Sequence, residues 1–163
     1  MKSFVDKNAR AWSIVVNIAT VKRVRSLCDV NLLELITVDD SGKTDSSVLD
    51  KLSEDPVLLV DVLYAVCKPE ADKLGVTDEQ FGESLDGDSI EKATESLLDE
   101  IVDFFPEAKR KVFRKILDAT RKFQRETAEK IKNLVESPAF DNLIASRIQK
   151  LNDIGLNAPE SSE

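Results

Sequence analysis

The sequence predicts a mainly α-helical fold with a small N-terminal β-hairpin (α+β). It reads as a single helical domain around a buried central helix, followed by a C-terminal helical hairpin. Three observations carry this reading. From Val57 to Cys67 only Asp61 interrupts an apolar run, and a helix apolar on nearly all sides has to be surrounded by other elements. Helical apolar stripes recur through most of the remaining chain, whereas Gly and Pro number only five each, too few for a turn-rich β architecture. Strict alternation occurs near the N-terminus, where Trp12, Ile14 and Val16 share one face.

The chain has 163 residues, 42% hydrophobic and 33% charged. That length suits one domain with a real core, and the composition is that of a soluble, helix-rich globular protein. The organisation expected is a globular domain over 1–118, a helical extension over 119–152 and a disordered tail over 153–163. The longest apolar run is about half of what a bilayer-spanning helix needs. Residues Met1 to Phe4 lead into alternation rather than a signal-peptide core, so a cytoplasmic location is expected.

In chain order, Phe4 to Val16 reads as the hairpin, with Asp6 to Arg10 supplying its turn. Asn8 is the residue expected to take a left-handed conformation there, and Trp12 is assigned to the core. From Ile18 the period becomes helical, with Ile18, Val21, Val24, Leu27 and Cys28 inward and Lys22, Arg23 and Arg25 outward. Leu32 to Ile36 fits either a helical turn or a third strand. Asp39 to Ser47 reads as a polar loop, and a short helix from Ser47 to Leu52 leads to the central one.

Asp55 is a natural N-cap for the central helix, and Pro56 suits its first position. After Cys67 the pattern breaks over 68–76. Thr77 to Gln80 has capping-box spacing, opening a helix that carries Phe81 and Leu85 inward and stops at Gly87. A second box-like start at Asp88 opens an amphipathic helix with Ile90, Ala93, Thr94, Leu97, Leu98, Ile101, Val102 and Phe105 on one stripe. Pro106 ends or redirects it. A long helix follows from Glu107 to about Val135, its apolar face narrowing after Leu117. Ser137-Pro138 then restarts a helix bearing Phe140, Leu143, Ile144, Ile148 and Leu151.

Chemistry-bearing motifs are sparse. Histidine is absent, which removes Ser-His-Asp and Cys-His nucleophilic sites and the commonest zinc ligand. Gly42-Lys43-Thr44 lacks the upstream glycine of a phosphate loop, since position 37 is Thr. The same loop lacks the alternating acids of a calcium site. Cys28 and Cys67 end apolar patterns and read as small buried hydrophobes, not a disulfide. Asp86, Asp88, Asp99, Glu100 and Asp103 are assigned to solvated helix faces. No catalytic residue, metal ligand or cofactor is therefore expected.

Charge is segregated within a net −8. Between Asp39 and Phe105, nineteen acids face five basic residues; between Glu107 and Val135, ten basic residues face four acids. The ordinary reading is two solvated faces. The functional reading is a basic handle for an acidic partner or for nucleic acid.

Several segments together carry a resemblance to a known family. They are the Trp hairpin running into Ile18-Ala19-Thr20-Val21-Lys22-Arg23-Val24, the helix from Asp55 to Tyr64, and Gly75-Val76-Thr77-Asp78-Glu79-Gln80-Phe81. Leu85-Asp86-Gly87-Asp88-Ser89-Ile90 and Leu97-Leu98-Asp99-Glu100-Ile101-Val102-Asp103-Phe104-Phe105-Pro106 complete the set. Over about residues 4–118 the chain resembles small phage and prophage tail-assembly proteins of the tail assembly chaperone type. The resemblance implies a mostly helical, non-enzymatic protein in the bacterial host cytoplasm that binds a helical partner such as a tape-measure protein. Its motifs are core and turn positions, so no functional residues carry over from that group.

The residues assigned to partner binding are Lys109, Arg110, Arg114, Arg121, Phe123, Arg125, Ile131, Phe140 and Ile144. Self-association through the same apolar positions is a second expectation, because they expose more apolar surface than a monomer usually tolerates. The alternative function is a nucleic-acid-binding accessory protein using the basic face of helix 107–135. The acidic half and the lack of stacking aromatics among the basic residues weigh against it. Membrane binding is not expected.

Overall fold

Asp6 shows how the N-terminal hairpin is made. Its buried carboxylate accepts the N–H groups of Asn8 and Arg10, both at 2.9 Å, and the Trp12 indole N–H at 3.0 Å. One side chain thus closes the loop between β1 (Lys2–Val5) and β2 (Ala11–Ile14) and fixes the ring the hairpin delivers to the core. The strands pair antiparallel, Phe4 opposite Trp12. The left-handed residue is Ala9, at φ 60°, not Asn8. The N–H groups on either side of Ala9 both bond the Asp6 carboxylate, and the loop closes through Ala9.

The computed structural model describes residues 2–34, 37–38, 44–45 and 48–156. Helices dominate, as expected: α1 (Ile18–Cys28), α2 (Val48–Glu54), α3 (Pro56–Leu74), α4 (Asp78–Glu83), α5 (Gly87–Phe104), α6 (Glu107–Val135) and α7 (Pro138–Leu156). Thr37–Val38 and Thr44–Asp45 form a second antiparallel pair, β3 and β4. Two residues read as loop are therefore strand. Residues 35–36, 39–43 and 46–47 of the segments read as turn or loop lie outside the described set, as do 157–163 of the expected tail. Contacts divide the chain into two units, residues 1–112 and 113–163.

Within the first unit α3 is the hub. It packs against α1, α2, α4, α5 and β2, while β1 lies on α5. Asp55 caps it through bonds from the Val57 and Leu58 N–H groups, and Gly75 ends it at φ 66°. Leu59, Val62, Leu63, Ala65, Val66, Cys67 and Ala71 are buried. The helix is not surrounded on all sides, because Val57 is 71% exposed and Asp61 is also in solvent. An apolar residue in the first turn need not face the core. Phe81 of α4 is fully buried among aromatic rings, 4.9 Å from Trp12, 5.5 Å from Tyr64 and 6.5 Å from Phe4.

The central helix does not break after Cys67. It continues through Pro69 to Leu74, although proline there denies the Ala65 carbonyl its usual i+4 N–H. Arg23 supplies the missing donor. Its Nε donates to the Ala65 carbonyl and its Nη2 to that of Val66, at 3.1 Å. Arg23, read as an outward-facing residue, is half-buried and joins α1 to α3.

Asp86 rather than Asp88 caps α5, in a reciprocal box with Ser89. Helix α4 ends at Glu83, so Leu85 falls in the connection and is only half-buried. Of the expected α5 stripe, Ala93, Leu97, Ile101, Val102 and Phe105 are buried, while Ile90, Thr94 and Leu98 are half-buried at its margin.

Candidate functional site

Candidate chemistry in the first unit is taken up by the fold. A cleft of about 610 Å³ between β2, α1 and α3 is lined by Arg23, Cys67, Glu70 and Lys73 among others. Arg23 is committed to the α3 carbonyls, and Glu70 Oε2 accepts the Ser13 N–H at 2.9 Å. Burial, reinforced by Glu70 and opposed by Arg23, pushes the Cys67 thiol up to about 12. Burial together with Asp61 and Asp78 takes Cys28, half-buried rather than buried, to about 11. Neither sulfur is a thiolate nucleophile at neutral pH. A second, open depression of about 800 Å³ is lined by Lys7, Arg10, Gln80 and Glu83 among others.

The acidic residues have identifiable tasks. Burial acts to raise Asp6, but hydrogen bonds from Trp12, Arg10, Asn8 and Ser84 together bring its carboxyl below its ordinary value. Asp86 is lowered by the Ser89 hydroxyl and N–H. Asp61 is raised by partial burial and by Asp78 and Asp55. Among the described residues, no group of three or more thiols and carboxylates is placed to hold a metal ion.

The expected partner-binding residues lie on α6 and α7. At 100° per residue, Arg110, Arg114, Arg121, Arg125 and Lys132 fall within about 60° of arc, one basic column. Phe123 and Ile131 lie on the adjacent apolar face. Lys109 falls in line with that face rather than with the column. Arg110 is partly used locally, donating from Nε to the Phe105 carbonyl at 3.1 Å across the α5–α6 joint. In the second unit Phe123 is 69% exposed, Leu134 61% and Ile131 56%.

On α7, Ser137 caps the first turn by accepting the Phe140 N–H at 3.3 Å. Phe140 is half-buried, while Leu143, Ile144, Ile148 and Leu151 are exposed. The helices expected as a C-terminal hairpin are both formed; Leu117 is buried and Phe113 and Phe140 half-buried, while Phe123, Ile131, Leu134, Leu143, Ile144, Ile148 and Leu151 are exposed.

Comparison with family models, curated proteins and solved structures returns no match. Among the described residues no helix is long and apolar enough to cross a membrane. Two residues that sequence reasoning did not single out matter to this architecture: Arg23 and Asp6. Pro69 within a helical stretch was the available signal for Arg23, since it marks a carbonyl in need of a donor. Asp6 two residues ahead of Asn8 has the spacing of a side chain that folds back on its own loop.

Proposed function

We propose that this chain is a non-enzymatic assembly factor of the tail-assembly-chaperone or scaffold type, which captures a helical segment of a partner such as a tape-measure protein. The observation that supports it is the exposure of Phe123, Ile131 and Leu134 on α6 and of Leu143, Ile144, Ile148 and Leu151 on α7. Side chains of this size, exposed in succession and rimmed by charge, have the character of a protein-interaction surface. In the first-unit cleft Arg23 and Glu70 are engaged with backbone atoms and burial raises the Cys67 thiol, which favours a binding reading over a catalytic one.

Fluorescence anisotropy of labelled tape-measure helical segments with the full chain tests this reading. Saturable binding is expected, weakened at least about tenfold by the double substitution Phe123→Asp/Ile131→Asp, a loss that follows from removing central apolar anchors. Segments that fail to bind, or bind equally well to the double variant, would refute it. The basic column on α6 supports a second reading, nucleic-acid binding. Submicromolar affinity for duplex or single-stranded DNA at physiological salt, with a steep salt dependence, would favour it instead.

A further inference from the structure

The cleft between β2, α1 and α3 is built entirely from the first unit. Val66, Glu70 and Lys73 follow one another at helical spacing along its α3 wall. Ala19 and Arg23, one turn apart, line it from α1, and Val15 lines it beside β2. Its deepest side chains are buried, Val66 at 4% exposure and Cys67 at 1%. Its mouth is open and apolar, since Val15, Ala19, Pro69 and Leu74 are exposed. A volume of about 610 Å³ falls in the range of small-molecule sites, which pair apolar walls with a few fixed polar groups.

The polar groups are few and unequal. Glu70 is engaged through Oε2 with the Ser13 N–H. A guanidinium carries five N–H donors, and the bonds to the Ala65 and Val66 carbonyls use two of those of Arg23. The same two bonds fix the plane of the group, so its remaining donors lose little freedom when a guest arrives. Its charge reaches the depth of the cleft, where it opposes Glu70 at the Cys67 thiol.

Charge and shape together select the guest. Arg23 and Lys73 against Glu70 leave one net positive charge in the lining, within a chain of net charge −8. That balance suits a single negative charge attached to an apolar body. A phosphate dianion would meet Glu70 and the apolar mouth. A peptide strand added to β2 would need the outward backbone groups of Ser13. Those are taken, the N–H by Glu70 and the carbonyl by the Cys67 thiol at 4.0 Å.

We infer that this cleft binds a small aliphatic monocarboxylate, its carboxylate on Arg23 and Lys73 and its hydrocarbon body against Val15, Val66, Pro69 and Leu74. The site does not depend on the helix-capture function proposed above.

The test uses the full chain with octanoate as probe, and 1-octanol and octylamine as its neutral and cationic counterparts. Calorimetric titration should show saturable octanoate binding about tenfold or more tighter than either counterpart, the difference a charge-assisted hydrogen bond supplies. Amide resonances of Ser13, Val15, Ala19 and Leu74 should shift along the same binding curve. Arg23→Met should abolish octanoate binding, but it also weakens the joint between α1 and α3. Lys73→Glu, at an exposed position in the last turn of α3, is therefore the companion variant. It should weaken octanoate and strengthen octylamine. Octanol binding as tightly as octanoate, octanoate indifferent to Lys73→Glu, or shifts confined to Phe123 and Leu134 of α6 would overturn the inference. So would an N-acetylated dileucine with a free carboxyl terminus that binds more tightly than octanoate, since the cleft would then belong to a partner's chain end.

Discussion

Asp6 concentrates several tasks in one carboxylate, and its loss should be felt accordingly. Asp6→Ala leaves the Trp12 indole N–H and two loop N–H groups without their acceptor. The expected cost is about 2–4 kcal/mol, read as a fall in denaturant midpoint. Asp6→Asn keeps one acceptor oxygen and should cost less. The pH dependence follows from the direction of the shift. The folded carboxyl lies below its ordinary 3.8, so its stabilisation is present above that value and is lost as pH falls through the lowered folded value. Asp6→Asn should flatten that part of the acid-unfolding curve; an unchanged curve would show that the acid limb arises elsewhere.

Arg23 and Pro69 form a second residue-scale pair whose coupling is measurable. Arg23→Met should destabilise by about 1–2 kcal/mol by leaving α3 carbonyls short of a donor. Pro69→Ala restores an N–H to the helix, so the same arginine substitution should cost less in that background. A double-mutant cycle measures the difference, and strict additivity would show that the guanidinium does not stand in for the missing N–H.

At the scale of elements, α3 and α5 allow two graded predictions. Leu63, fully buried in the hub helix, should cost about 2–5 kcal/mol on substitution by Ala, whereas Val57→Ala in the solvent-facing first turn should cost little. Asp86→Ala should lower the melting temperature through loss of the α5 cap, and Asp86→Asn should be nearly neutral because asparagine caps as well. Thermal melts of the pair separate a capping role from a charge role.

The central helix, the hairpin and the α5 stripe were legible because each is written in local terms: a run, an alternation, a period. The misplaced features depend on atoms distant in sequence or on loop geometry. Pro69 reads as a breaker until Arg23, 46 positions earlier, arrives to satisfy its helix. Ala9 has no intrinsic claim on a left-handed conformation; Asp6 holds the N–H groups on either side of it. Thr44–Asp45 carries too few residues to show a strand period. The basic column was legible as composition, but its separation from Lys109 required counting positions around α6.

For the whole molecule, the division at Val112–Phe113 bears on truncation. A chain lacking residues 126–163 should retain the melting transition of the first unit, followed through Trp12, the only tryptophan. A transition many degrees lower would show that the C-terminal helices contribute to that core. The truncated chain should also lose capture of helical segments, since Ile131 and Leu134 leave with the deleted part.

The pairing of β1 with α5 also sets an order of events during synthesis. The first strand rests on a helix that ends at Phe104, and the Ser96 hydroxyl reaches the Ser3 carbonyl across 93 positions. At about 5–20 residues per second, some 5–20 s separate translation of the hairpin from that of its seat. Throughout that interval Phe4 lacks part of its native cover. Ribosome-bound chains stalled before α5 should therefore be cut readily by protease near the hairpin, and chains stalled well beyond Phe104 should resist.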